Sequence, residues 1–154
     1  MPAELDSIDL RILRLLQRDG GLGIAQISAS VGLSHTPCWR RIKRLEESGV
    51  IRNRVAVLDP QKVGLAVSVF AQVKMASHKK SALANFENAV LSEPRIMSCH
   101  SISGQSDYLI RVVVPDIADY ECYLKDCILQ LPNVDQVHSS FALREIKNLC
   151  ALPI

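Results

Sequence analysis

The sequence predicts an α+β chain: a helical N-terminal third, then a segment with the element order βαββαβ. Apolar residues recur three or four positions apart through most of the first 50 residues, the spacing of amphipathic helices. After the interruption at residues 58–60, Leu-Asp-Pro, apolar and polar residues alternate, as in half-buried strands. We therefore predict two domains, residues 1–59 with a linker and residues 60–154.

The composition is that of an ordinary folded protein. Of 154 residues, 48% are hydrophobic and 22% are charged, which excludes a disordered or collagen-like chain. No apolar run approaches the roughly 18 residues that span a bilayer, and the N-terminus lacks a signal-peptide pattern. We expect a cytoplasmic protein without a membrane partner. The net charge of +2 lies within residues 1–60, since residues 61–154 balance.

The N-terminal domain begins with two predicted helices. In the first, four apolar side chains share one face at steps of three and four residues: Leu5, Ile8, Ile12 and Leu15. The pattern stops at residues 19–21, Asp-Gly-Gly, which end a helix readily. A short helix over residues 24–30 follows. Gly32 then permits a sharp turn, and Ser34 is a candidate N-cap for a third helix.

The third predicted helix has an apolar side and a basic side. Cys38, Ile42 and Leu45 cluster on the apolar side of a helical wheel. The opposite side is polar: Thr36, Arg40, Lys43 and Glu47. Arg44 flanks it, and Arg41 turns toward the core edge, where we expect a pair with an acid of the first helix. Residues 31–45 carry four positive charges and no acid, so this helix suits the major groove of DNA in a helix-turn-helix.

The remaining elements follow in order. Residues 50–57 are β-prone, and residues 66–75 alternate as a strand. A helix is predicted at 79–91, strands at 96–103 and 108–114 around a glycine turn, and a last strand at 134–147. Between the last two strands, a helix from Asp116 carries one apolar stripe: Ile117, Tyr120, Leu124, Cys127 and Leu131. This order is that of the ferredoxin-like fold, an antiparallel sheet with two helices on one face.

Cysteines and histidines allow a metal or redox chemistry in addition to DNA binding. The five cysteines form no CxxC pair, so we expect neither disulfides nor a zinc site. A metal- or redox-responsive regulator on the same scaffold remains open, with these candidate residues: Cys99, Cys122, Cys127, His100 and His138. No nucleophile–base or metal-triad spacing is present. We therefore expect no enzyme, no cofactor and no metal.

Four segments together resemble one family. They are LDSIDLRIL at residues 5–13, VGLSHTPCWRRIKRLEESGVI at 31–51, LDP at 58–60 and GQSDY at 104–108. In this order and spacing, the sequence is similar to the Lrp/AsnC, or leucine-responsive and feast/famine, transcription regulators. The resemblance covers nearly the whole chain and extends to the βαββαβ half.

The resemblance implies a winged helix-turn-helix that binds a pseudo-palindromic operator in double-stranded DNA. The residues expected at the DNA are Ser34, Thr36, Pro37, Trp39, Arg40, Arg41, Lys43 and Arg44. It also implies a homodimer that assembles further, typically into an octamer, in the cytoplasm and associated with the nucleoid. Trp39 is bulky for this helix, so it either packs at the flank or contacts a thymine methyl group.

The resemblance also implies that the C-terminal domain senses a small molecule, typically an amino acid, at a subunit interface. The expected effector residues are Gly104, Gln105 and Asp107, with Ser139 and Ser140 on the last strand. Asp107 suits the ammonium group and glycine N–H groups suit the carboxylate, although Gly104 and Asp107 also suit a plain hairpin turn. The cysteine in the Thr-Pro-Cys-Trp motif favours a sulfur-containing or small apolar amino acid. The chain departs from the family at Gly21, where many members carry arginine.

Overall fold

The computed structural model describes residues 4–149 and 151–154, which form two compact units. The first unit is the chain up to Val57 together with the segment from Ile146 to Ile154, and the second runs from Leu58 to Glu145. Each unit has its own hydrophobic core. The chain thus leaves the first unit after Val57 and returns to it at Ile146.

Three helices build the first unit: α1 (Ser7–Arg18), α2 (Ile24–Val31) and α3 (His35–Glu47). Asp6 caps α1 by accepting a hydrogen bond from the N–H of Asp9 at 2.8 Å, and the Asp9 carboxylate accepts from the N–H of Asp6 at 3.2 Å. Gly32 ends α2 at a φ of 73°, a conformation that favours glycine. Ser34 holds the N-cap position of α3, but its hydroxyl makes no capping hydrogen bond.

The core of the first unit lies on the predicted helix faces. Ile12 is fully buried, and Leu5, Ile8 and Leu15 pack partly against the same cluster. The buried apolar side chains are Ile12, Leu13, Ile27, Val31, Cys38, Ile42 and Leu45. Because the apolar side of α3 is used in this core, its opposite side remains at the surface.

Residues 50–57 form no strand, contrary to the β-prone pattern in the sequence. Val55 and Val57 are 76% and 78% exposed. An extended segment becomes a strand only when a neighbour supplies the ladder of hydrogen bonds. Within the described part of the first unit no strand is formed at all, so the helix-turn-helix lacks a strand wing.

The second unit is an antiparallel sheet of four strands: β1 (Val67–Met75), β2 (Ile96–Ser101), β3 (Tyr108–Val114) and β4 (Val134–Phe141). The strand order is β2-β3-β1-β4. Helix α4 (Lys80–Leu91) connects β1 to β2, and α5 (Ile117–Asp126) lies between β3 and β4. The sequence order βαββαβ with this strand order confirms the ferredoxin-like fold.

Both helices cover the same face of this sheet. Val69, Ala71 and Val73 of β1 are fully buried in one cluster with Phe86 of α4 and Tyr120 of α5. The residues that alternate with them are directed to the helix-free face, which we call the open face. Cross-strand register assigns to the open face Ser68, Phe70, Gln72, Lys74, Leu109, Arg111, His138 and Ser140.

Three elements of the second unit end earlier than predicted, among them β2, which ends at Ser101 rather than at residue 103. Helix α5 ends at Asp126, because Cys127 leaves the helical region with φ −125° and ψ −66°, and a 3₁₀ turn (Ile128–Gln130) follows. The predicted apolar stripe is also wrong at its N-terminal end: Ile117 is 64% exposed, although Tyr120 and Leu131 are buried. Strand β4 ends at Phe141 rather than at residue 147.

Candidate nucleic-acid interface and effector turn

Helix α3 presents one surface to solvent. Cys38, Ile42 and Leu45 are at most 4% exposed, so the helix is fixed to the unit by its apolar side. Most of the residues predicted to contact DNA are exposed on the other side: Ser34, Thr36, Pro37, Trp39, Arg40, Lys43 and Arg44. Arg41 is half-buried. The geometry is that of a helix anchored on one side and free to enter a groove with the other.

Two of the four basic residues on α3 are engaged with α1. The Asp9 side chain is 1% exposed, and it pairs with Arg41, whose Nη1 lies 2.8 Å from Oδ1, and with Arg44. Arg41 also lies 2.6 Å from Asp6. The hydrogen bond from the Asp9 N–H and the one from Arg41 lower the pKa of Asp6. Arg41 pairs with an acidic helix-1 residue as predicted, whereas the Arg44 pair was not anticipated.

Arg40 and Lys43 remain as the outward-facing charges. Arg40 makes no ion pair with any described residue. Lys43 lies 4.0 Å from Glu47 and places its Nζ 5.5 Å from the Trp39 ring centroid. Trp39 is 44% exposed, so much of its ring remains at the surface beside these charges. Arg40, Lys43 and Trp39 therefore form the exposed centre of the helix face.

The segment after α3 adds a second basic position that the site prediction omitted. Arg54 pairs with Glu46 at 2.7 Å, while Arg52 is exposed and has no ion pair in the described part of the chain. Both line an open groove of about 480 Å³ with Glu46, Ile51 and Asn53. The sequence signal was the Arg-Asn-Arg run itself, whose pairing with Glu46 only the structure reveals.

The predicted effector turn joins β2 to β3. Gly104 adopts a φ of 124°, which side-chain-bearing residues rarely tolerate. Asp107 fastens the turn to the end of β1: its carboxylate accepts from the Met75 N–H at 2.8 Å and pairs with His78 at 2.7 Å. The Met75 hydrogen bond, followed by the one with His78, lowers the pKa of Asp107. Asp107 thus has a structural role in this turn.

The other predicted effector residues do not converge. Gln105 is exposed on the turn beside Gly104. Ser139 is opposite Ala71 on the helix-covered face and hydrogen-bonds the Tyr120 hydroxyl at 2.6 Å. Ser140 is opposite Phe70, on the open face. Within one chain, the structure brings Gly104, Gln105 and Asp107 together and separates Ser139 from Ser140.

The described cysteines and histidines do not form a metal-binding cluster. Among the described residues, no group of three or more His, Cys, Asp and Glu side chains is placed to hold a metal ion. Burial raises the pKa of the Cys99 and Cys127 thiols, which disfavours the reactive thiolate. No observation favours the metal- or redox-responsive alternative.

Two family models match the chain. The winged helix-turn-helix DNA-binding model matches residues 5–52, and the Lrp/AsnC ligand binding domain matches residues 68–152. The chain belongs to the Lrp/AsnC family. Its members are DNA-binding transcriptional regulators with a ligand-binding domain, not enzymes. None of the helices in the described residues has the length and apolar character that crossing a membrane requires.

Full-length relatives agree with this membership. The Lrp/AsnC chain is 38% identical over 150 residues to the transcriptional activator DecR of Escherichia coli K12, covering 97% of this chain and 99% of DecR. It is 41% identical over 152 residues to the Bkd operon transcriptional regulator of Pseudomonas aeruginosa, covering 99% of each.

Solved structures give the same result. An AsnC family regulator from Agrobacterium tumefaciens has a TM-score of 0.91 and 46% identity, with 97% of both chains covered. A transcriptional regulator from Neisseria meningitidis in complex with L-Met has a TM-score of 0.92 and 35% identity, again with 97% of both covered. The Lrp/AsnC architecture thus extends over nearly the whole chain.

Proposed function

We propose that α3 binds the major groove of a pseudo-palindromic operator and that Arg40 and Lys43 are its principal contacts. The observation that carries this proposal is the division of charges on α3. Arg41 and Arg44 are held by Asp9, whereas Arg40 has no acidic partner among the described residues. Guanidinium groups bind guanine edges and phosphates. Ser34, Thr36, Pro37 and Trp39 complete the proposed surface, with Arg41 and Arg44 at its edge.

The test is binding to DNA upstream of the protein's own gene, at near-physiological salt with excess non-specific competitor. We expect a complex that survives the competitor and a protected region with two related half-sites. Binding no tighter than to competitor would leave only counterion-driven affinity and would contradict the proposal.

We propose that residues 1–59 bind the operator and that residues 60–154 bind the effector and mediate assembly. We propose that the protein acts in the cytoplasm, at the nucleoid.

We further propose that the turn at Gly104, Gln105 and Asp107 binds an amino acid, with methionine the first candidate. Among the described residues, the backbone N–H groups of Gly104 and Gln105 donate to no other group, so they are available for a carboxylate. Each Asp107 oxygen retains a free acceptor position for an ammonium group. The L-Met complex of the Neisseria relative supports a sulfur-containing effector. Ser139 and Ser140 stay weaker candidates, because they lie on opposite faces of β4.

Asp107 variants separate effector binding from turn stability. Asp107→Ala removes the acceptor of the Met75 N–H, and we expect the second unit to lose about 1–2 kcal/mol of stability together with the amino-acid response. Asp107→Asn keeps that acceptor but not the negative charge. We expect it to retain most of the stability and still fail to bind methionine, measured by calorimetry. A normal methionine response in Asp107→Asn would show that the charge of Asp107 is not needed for effector binding and that the residue only stabilises the turn.

The pH dependence of stability follows from the same contacts. The folded-state pKa of Asp107 lies below its ordinary value of 3.8. Its stabilisation is therefore present above that value and is lost as the pH falls through the lowered pKa. Asp107→Asn should flatten this part of the acid-unfolding curve, which urea midpoints between neutral and strongly acidic pH would measure.

We propose that two copies of the chain associate through the open face and that these dimers assemble further, into an octamer. Phe70 is 40% exposed at the middle of this face, and burial of such a side chain stabilises a core-like interface. Phe70→Asp should convert the assembly to monomers in sedimentation experiments. Leu91→Asp, on a residue 83% exposed at the end of α4, is the control and should leave the dimer intact. A dimeric Phe70→Asp would contradict the proposed interface.

A further inference from the structure

Helix α1 carries a second basic surface that the operator-binding account does not use. Arg11, Arg14 and Arg18 follow one another at steps of three and four residues, so they share one side of the helix. Residues 10–18 contain no acid. We call these three residues the α1 arginine face.

The side chains of the described residues do not neutralise the charges of this face. None of the three arginines lies within ion-pair distance of a described Asp or Glu side chain, in contrast to Arg41 and Arg44. Like charges at this spacing repel one another and weaken a helix slightly. An uncompensated set of arginines is therefore a cost to α1 that an anionic ligand would relieve.

Two of the three guanidinium groups are held in position by main-chain oxygen atoms. Arg11 Nη2 donates to the Ser30 carbonyl at 2.7 Å, and Arg14 Nε donates to the terminal main-chain oxygen of Ile154 at 2.7 Å. A guanidinium has five N–H donors, so most of them stay available. The three arginines, with Leu15 and Ser30, line an open groove of about 150 Å³, the size of a small anionic group rather than of a large ligand.

The face points away from the proposed operator contact. At about 100° per residue, Arg11, Arg14 and Arg18 lie about 140° to 200° around α1 from Asp9. Asp9 contacts α3 through Arg41 and Arg44. We therefore expect that a straight duplex bound by α3 does not also reach the α1 arginine face, so that a ligand there is a different molecule or a different stretch of the same DNA.

We propose that the α1 arginine face binds the phosphate backbone of duplex DNA outside the stretch that α3 contacts. This inference rests on the proposed DNA-binding function and adds a second contact surface to it. Arginine binds phosphate oxygens through paired N–H donors. Such contacts carry no base information, so this surface increases affinity for longer DNA without changing the operator sequence that is recognised.

The experiment compares two DNA fragments: the operator alone and the same operator with long random flanks on both sides. Arg11→Gln/Arg14→Gln/Arg18→Gln is compared with wild type on each fragment over a range of salt. Lys62→Gln/Lys79→Gln/Lys80→Gln removes the same charge from the second unit and is the matched control. Arg18→Gln alone is a milder variant, because Arg18 makes no hydrogen bond to described residues; it is used if the triple variant loses its native Trp39 fluorescence.

We expect wild type to bind the long fragment more tightly and with a steeper salt dependence. In the triple variant the long-fragment slope of log K against log salt should fall by about 2 to 3, and affinity should fall to that for the short fragment. Short-fragment binding should be unchanged. Arg18→Gln should show about a third of the slope change.

Three results would overturn the inference. Wild type could bind the long fragment no more tightly than the short one, the arginine variants could keep the full increase in affinity with DNA length, or the lysine control could lose as much of that increase as the arginine variants. The last result would show an effect of net charge alone. Failure of the proposed function has a different signature, because wild type would then bind the short operator no better than competitor. Failure of the inference is therefore measured on the long fragment, and failure of the proposed function is measured on the short fragment.

Discussion

Arg41→Met/Arg44→Met is expected to destabilise the first unit by about 3–5 kcal/mol, because it leaves the buried Asp9 carboxylate unpaired. Asp9 is fully buried, and the two arginines supply its side-chain ion pairs. Met preserves much of the length of the arginine stem, so the change is mainly one of charge. Trp39, the single tryptophan, lies on α3 and reports this unit in urea unfolding followed by fluorescence.

A compensating variant identifies the cause of that loss. Asp9→Asn in the Arg41→Met/Arg44→Met background removes the unpaired charge and keeps an acceptor for the Asp6 N–H, so we expect it to restore more than half of the lost stability. Arg54→Met, which breaks the more exposed pair with Glu46, should cost no more than about 1 kcal/mol. No recovery with Asp9→Asn would show that the arginine stems, and not the pairing of Asp9, stabilise the unit.

Arg40→Ala is expected to weaken operator binding about 10- to 100-fold, which corresponds to about 1–3 kcal/mol for a good base or phosphate contact. Arg40 is exposed and makes no ion pair with described residues. The fold should therefore be unaffected. Measured over a range of salt, the slope of log K should fall by about 1 if Arg40 contacts phosphate.

Lys62→Ala is the control for Arg40→Ala. Lys62 is 83% exposed and lies outside α3, in the 3₁₀ turn Gln61–Val63. Lys62→Ala removes one positive charge, as Arg40→Ala does. We expect its operator affinity to stay within about a factor of two of wild type. If Lys62→Ala lowered both the affinity and the salt slope while Arg40→Ala left both unchanged, the recognition surface would lie elsewhere.

Periodicity predicted most of the fold because the buried faces of these elements are regular. The alternation in β1 matches the core of the second unit, and so does the helical spacing of Leu83, Phe86 and Val90 in the sequence of α4. Where the backbone departs from regular geometry, periodicity fails. A helical wheel continued through Cys127 missed the end of α5, because a dihedral change at one residue leaves no trace in apolar spacing. Residues 50–57 have β propensity but no strand to pair with.

The candidate site was predicted in composition but not in its electrostatics. The helical wheel predicted the basic side of α3 and the orientation of Arg41 toward the edge of the core. It did not show that Arg44 also pairs with Asp9, because the flanking position of Arg44 is compatible with either DNA or α1. Similarly, the motif at the β2–β3 turn indicated Asp107. It did not indicate that the Asp107 carboxylate accepts a hydrogen bond from the N–H of Met75, which is 32 residues away in sequence. Long-range partners of this kind are visible only in three dimensions.

We propose above all that this one chain couples ligand binding to operator binding. The most direct test measures the dissociation constant of the operator complex, at fixed salt, without ligand and with each of the twenty amino acids at saturating concentration. We expect one amino acid, with methionine the first candidate, to change operator affinity about 5- to 150-fold in either direction, and we expect Asp107→Asn to abolish this change. Equal operator affinity under all conditions, with methionine shown by calorimetry not to bind, would contradict the account.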